Sequence, residues 1–122
     1  MPVRTKRWND PEDPEDGFRL LICRIRPRGV AKARETWTAW WPDLGPSRRL
    51  LDDFHGKSAP PISWDDYRSR YLQEMQGPAP LWRIRDLVRR AAAGETITLL
   101  CSSACTDPRH CHRTLLAALI SR

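Results

Sequence analysis

The chain has 122 residues, 40% hydrophobic and 30% charged, with a formal charge of +6. That length is one domain, large enough to fold without disulfide or metal staples, and no apolar run approaches the roughly 18 residues a membrane span needs. The N-terminal MPVRTKRW has no apolar signal core, which points to the cytoplasm and to reduced cysteines, and the positive charge favours a small anionic ligand or nucleic acid over a membrane.

Residues 3–8, VRTKRW, alternate weakly and read as a strand. The segment 10–16, DPEDPED, holds two prolines and five acids. It reads as a solvated loop closed by Gly17 rather than as a cation site. FRLLIC, 18–23, is a short, mostly apolar run without clean alternation, as expected for a strand covered on both faces.

That strand runs into CRIRPRG, 23–29, with Arg24, Arg26 and Arg28 directly beyond its carboxyl end. Ligands of open α/β sheets bind beyond such ends, and guanidinium forks match phosphate or carboxylate oxygens in pairs. Two readings stand here: an anion site, or arginines that pair with the acidic loop at 10–16. Trp37, Trp40 and Trp41 follow, and either pack the sheet or offer stacking surfaces to a nucleic acid.

A short helix is predicted over 46–54. Ser63 caps the next helix, whose one face carries Trp64, Tyr67, Tyr71, Leu72 and Met75. Leu81, Ile84, Leu87, Val88 and Ala91 mark a third helix, with Gly94 at its C-terminal cap. Its Arg83, Arg85, Arg89 and Arg90 form a solvated face or a phosphate-contacting one. TITLLC, 96–101, is the second buried strand.

The segment CSSACTDPRHCHR, 101–113, holds three of the four cysteines and two of the three histidines. Asp107 caps a helix beginning at Pro108, or a turn at 108–110 with the helix starting at Cys111. Either way Cys111, His112 and Arg113 sit in its first turns. The helix dipole with Arg109 and Arg113 should then hold the Cys111 thiol below the ordinary value of about 8.5.

Three readings of this segment compete. Cys101, Cys105, Cys111 and His112 are four potential zinc ligands. Their spacing, C-x3-C-x5-C-H, is not a standard zinc pattern, and adjacent ligands are awkward to aim at one ion, so no metal or cofactor is expected. The second reading is a reactive thiol in an anion pocket. The third is a set of structural cysteines, with His112 satisfied by a backbone carbonyl.

KRWNDPEDPEDGFRLLICRIRPRGVAK, 6–32, resembles the YeaO-like proteins of domain-of-unknown-function family 488. The resemblance continues through DLGPSRRLLDDFHG, 43–56, and WDDYRSRYLQEM, 64–75. Where that family usually reads V-D-R-L-W-P-R-G, Cys23 replaces the acid and Arg26 the tryptophan. The C-terminal L-L-C…C-H-R is similar to a version found in other members of the wider family. The resemblance implies a small α/β domain and carries no reaction with it.

Together these readings give a single α/β domain, 1–122, with a short, mainly parallel sheet covered by helices in a three-layer, Rossmann-like arrangement. The strands ending at Cys23 and Cys101 should be parallel in one sheet, so that one crevice joins their ends. Arg24, Arg26, Arg28 and Arg113 would hold an anion there. Cys111 or Cys101 would be the nucleophile and His112 the base. The alternative is a non-catalytic nucleic-acid-binding protein.

Overall fold

The computed structural model describes residues 3–121. Four strands form one sheet: β1 (Val3–Arg7), β2 (Phe18–Leu21), β3 (Ala39–Trp40) and β4 (Ile97–Cys101). Their spatial order is β1-β4-β2-β3, and every pairing is parallel. Four helices follow the same chain order: α1 (Arg48–His55), α2 (Trp64–Glu74), α3 (Pro78–Ala92) and α4 (His112–Ile120).

All five residues of β4 are buried, because this strand pairs on both edges and is covered on both faces. That is why ITLLC shows no polar alternation, its one polar side chain, Thr98, donating to the Asp16 carbonyl at 2.7 Å. The expected parallel pairing of the strands leading to Cys23 and Cys101 is present, with Phe18 beside Ile97 and Leu21 beside Leu100. Past the end of β2 the Ile22 amide still bonds the Leu100 carbonyl at 3.0 Å, and the Trp8 amide bonds that of Cys101 at 2.8 Å. Three carboxyl ends therefore open at one level of the sheet.

The two faces are closed differently. Leu20, Ile22, Ile97 and Leu99 pack with Leu50, Tyr67, Tyr71, Leu87 and Leu116, which come from all four helices. On the other side Leu21, Cys23, Leu100 and Cys101 pack with Trp37 and Cys111, with Trp8 and Val30 against them. Loops, not helices, cover that second face. The link from β1 to β2 is too short to carry a full crossover helix, and the longer link from β2 to β3 forms only a 3-10 turn, Lys32–Arg34.

The acidic loop departs from its reading as a solvated segment. Asp16 is 1% exposed and is the anchor of the loop. Its carboxylate meets Lys6 at 2.8 Å, Arg4 at 3.4 Å and the Arg19 guanidinium. It also accepts from the Asp13 amide at 3.1 Å. Burial alone would raise this acid's pKa, but the bonds from Lys6 and Asp13 and the Arg19 charge outweigh burial and hold it low.

Helix starts follow the sequence signals. Ser63 accepts from the Asp66 amide at 3.1 Å and Ser47 from that of Leu50 at 3.1 Å. Gly77, with Pro78 after it, opens α3 rather than only closing α2. The Asp107 side chain accepts from the Arg109 amide and caps a short 3-10 turn over Pro108–His110. The helix proper begins at His112, with Cys111 as its extended N-cap residue.

Candidate functional site

The carboxyl end of the sheet carries a cavity of about 640 Å³. Arg24 and Arg28 line it on one side, and Cys101, Cys105, Cys111 and His112 on the other. His55, Tyr67 and His110, from the helical side, also contribute. The sheet register produces this meeting, since β2 and β4 are hydrogen-bonded neighbours running the same way and their following loops leave from adjacent points.

The arginines divide by role. Arg24 donates to the carbonyls of Gly45 (3.0 Å) and Pro46 (3.2 Å), which fixes its guanidinium at the cavity edge. Arg28 is exposed and lines the cavity. Arg26 does not: it binds Glu35 at 2.6 Å and lies over the Trp37 ring at 5.3 Å. None of the three pairs with the acidic loop, whose Asp10, Asp13 and Asp16 are met by Arg4, Lys6, Arg7 and Arg19.

Arg113 is 6% exposed and lies outside the cavity lining. Its Nη2 donates to the Cys105 carbonyl at 3.2 Å, and its Nε is buried with no partner. Among the described residues no carboxylate pairs with it.

The sulfurs converge. Cys101 Sγ and Cys105 Sγ are 3.2 Å apart, Cys105 and Cys111 3.2 Å, and Cys101 and Cys111 3.4 Å. Cys23 is a looser neighbour, 4.0 Å from Cys101. Cys101 and Cys111 are 1% and 3% exposed, while Cys105 is half-buried on the loop. That loop turns back on itself through the Cys105 amide to Ser102 carbonyl bond, 3.0 Å, which aims Cys105 inward at the strand end.

His112 is buried, with Nε2 2.9 Å from the Ile22 carbonyl. That carbonyl requires a proton on Nε2, leaving the Nδ1 lone pair toward Cys101 Sγ, 3.8 Å away. Burial lowers the imidazole pKa, against the opposing effect of the Ile22 bond.

The electrostatics correct one expectation. Contact with Cys101 pulls the Cys111 thiol down, but the Cys105 sulfur and burial outweigh it, and the thiol is pushed up to about 12. Hydrogen bonds from Cys101 and then Cys111 lower Cys105 to about 3, with burial opposing. Contacts with Cys105, Cys111 and Cys23 push Cys101 well above its ordinary value. The helix N-terminus and flanking arginines do not decide the order. Neighbouring sulfurs and burial do.

Of the residues expected at the crevice, Cys101, Cys111, His112, Arg24 and Arg28 line one cavity. Sequence reasoning expected Arg26 in the arginine wall and Arg113 in the cysteine wall, and neither lines the cavity. It considered Cys105 only as a potential zinc ligand and gave no role to His55 or His110. His110 Nδ1 lies 3.3 Å from Asp107 Oδ2, and an i, i+3 spacing of acid and histidine was the available signal.

Fold and site define a parallel-sheet α/β protein with a sulfur-and-arginine crevice at the carboxyl edge of its strands. The chain belongs to the DUF488-N3a family, described as the active DUF488-N3 subclade, whose model matches residues 3–122. It is similar to the uncharacterized protein YeaO of Escherichia coli (strain K12), 31% identical over 111 residues, 90% of each chain. It is also similar to the uncharacterized protein Rv3073c of Mycobacterium tuberculosis (strain ATCC 25618 / H37Rv), 35% identical over 89 residues, 73% of each. No solved structure matches the chain. Among the described residues no helix is long and apolar enough to cross a membrane.

Proposed function

We propose that the crevice is the reaction site of an enzyme acting on a small anionic substrate, with phosphate-containing compounds the first class to test. The observation that carries this reading is the single cavity shared by the arginine loop and the Cys101–His112 segment. Arg28, free of any carboxylate among the described residues, meets the anion, and Arg24 offers the N–H groups it does not spend on Gly45 and Pro46. Arg26 and Arg113 act from behind, the first by fixing the arginine loop through Glu35, the second by supplying charge beside Cys105. Cys101, Cys111 and His112, joined by Cys105, are the catalytic groups facing the bound anion.

The test uses reduced, chelator-treated protein and the alkylation rate of Cys105 read by mass spectrometry. Phosphate monoesters should protect Cys105. Arg28→Ala, a change at an exposed position, should weaken protection by about tenfold, the effect of losing one charge-assisted hydrogen bond. If no phosphate compound protects, or if Arg28→Ala protects as well as the wild type, the anion reading is lost.

A further inference from the structure

We infer that Cys101, Cys105 and Cys111 form a three-thiolate site for one thiophilic divalent cation of the zinc class, with the fourth coordination position open to the crevice. This assigns a role to the sulfurs of the site proposed above, and rests on that reading only in where the open position leads.

The three sulfurs lie mutually within one ion's reach. Their separations of 3.2–3.4 Å are shorter than the roughly 3.5–4.0 Å optimum even for carbon atoms, which are smaller than sulfur. Neutral thiols gain little from such crowding, since each carries one proton and is a weak donor and a weak acceptor. An ion about 2.3 Å from each sulfur fits over this triangle, and full tetrahedral geometry needs the sulfurs to spread by only a few tenths of an ångström.

One feature beside the cluster supports a negative charge on it. Arg113 is buried with no carboxylate at ion-pair distance among the described residues, Asp10 feeling its charge only from further away, and its side chain donates to the carbonyl of Cys105. A buried cation is costly unless compensated. Three thiolates on a dication carry one net negative charge, which supplies that compensation.

The objection from spacing also falls. Cys101 ends a strand, Cys105 sits on a returning loop and Cys111 is an extended N-cap residue, so each arrives from a different direction. Cys111 and His112 are adjacent in sequence, yet both face the Cys101 sulfur.

On binding, every thiol of the three that is still protonated loses its proton to solvent, the sulfur lone pair takes its place on the ion, and no redox step occurs. The experiment adds zinc, or cobalt as its coloured substitute, to the full chain kept reduced and free of metal. One ion per chain is expected. Cobalt should give intense thiolate charge-transfer bands in the near ultraviolet, and zinc should remove three cysteines from reaction with a thiol reagent until a chelator restores them. Cys105→Ser, on the half-buried loop, should weaken zinc binding by at least about 100-fold, whereas Cys23→Ser should leave it unchanged. Absence of stoichiometric binding by the wild type, or equal effects of the two substitutions, overturns the proposal. Wild-type protein needs no variant to fold, and the anion test is run without metal, so either reading can fail alone.

Discussion

Asp16 is one carboxylate in contact with three cations, at 1% exposure. Its pKa is lowered in the folded state, so its contribution to stability is present above the ordinary carboxylate value, about 3.9, and is lost as pH falls through the lowered folded value. Asp16→Asn leaves Arg19, 7% exposed, without its carboxylate and should cost about 3–5 kcal/mol. Thermal unfolding followed from pH 7 downward should show the wild type losing stability below about pH 4, while the variant starts lower and loses less over that range. An equal acid slope in both proteins would remove Asp16 as the cause. The cysteines show what could not be read at this scale. Their spacing announces a shared segment, but which sulfur reaches solvent depends on the path of residues 102–107. That path is set by the Ser102–Cys105 turn and the Asp107 cap, which close only in three dimensions. In chelated protein Cys105 should therefore be alkylated before Cys101, Cys111 and Cys23. Faster labelling of Cys111 would restore the assignment expected from sequence.

Elements were more legible than side chains. The runs ending at Cys23 and Cys101 read as buried strands, and their parallel pairing follows from the helices between them. The two-residue β3 gave no run to detect. It forms because Leu20 and Leu21 leave an open edge that Ala39 and Trp40 can fill. That the second face would be closed by loops was also invisible, because a buried strand looks the same under a helix or under Trp37 and Val30. One element junction ties fold to site. Gly45, between the 3-10 turn at Pro42–Leu44 and α1, lies against the Arg24 backbone, so that a Cβ there would collide with the Arg24 amide. Its carbonyl also holds the Arg24 guanidinium at 3.0 Å. Gly45→Ala should destabilise by about 1–3 kcal/mol, the usual cost of forcing atoms into packed space. It should also loosen anion protection of Cys105 under conditions where the variant is fully folded. Unfolding temperature and alkylation rate separate the two effects. Unchanged protection in a destabilised protein would show that the junction supports the fold alone.

Across the whole molecule the +6 charge is unevenly used. Of the α3 arginines that sequence offered to phosphates, Arg83, Arg89 and Arg90 are occupied, and Arg85 is exposed without an ion-pair partner among the described residues. Arg83 binds Asp43 and stacks on Trp41 at 4.4 Å, while Arg90 binds Asp86 and Glu95 and lies 4.4 Å from the Phe18 ring centre. Arg89 also contacts Asp86. The tryptophans cited for base stacking are spent likewise: Trp37 is 8% exposed, and Trp40 donates to the Cys23 carbonyl at 2.7 Å. By contrast Arg28, Lys32 and Arg34 are exposed and have no carboxylate partner among the described residues. Arg28 lines the crevice, and Lys32 and Arg34 follow it on the same loop, so unpaired positive charge is present at the crevice edge. Its field raises the local concentration of a small anion without needing a long backbone to follow. A mononucleotide should therefore protect Cys105 as well as an oligonucleotide does at physiological salt. Its apparent affinity should fall only slightly with log salt, because few ions are displaced. A single-stranded nucleic acid read along its backbone behaves otherwise, with a slope of about −0.7 per neutralised phosphate. Measuring protection by both ligands between 0.05 and 0.5 M salt, about one decade around the physiological value, decides the matter. Protection by the oligonucleotide alone, with a slope of several phosphates, would move the function from an enzyme of small anions to a nucleic-acid binder.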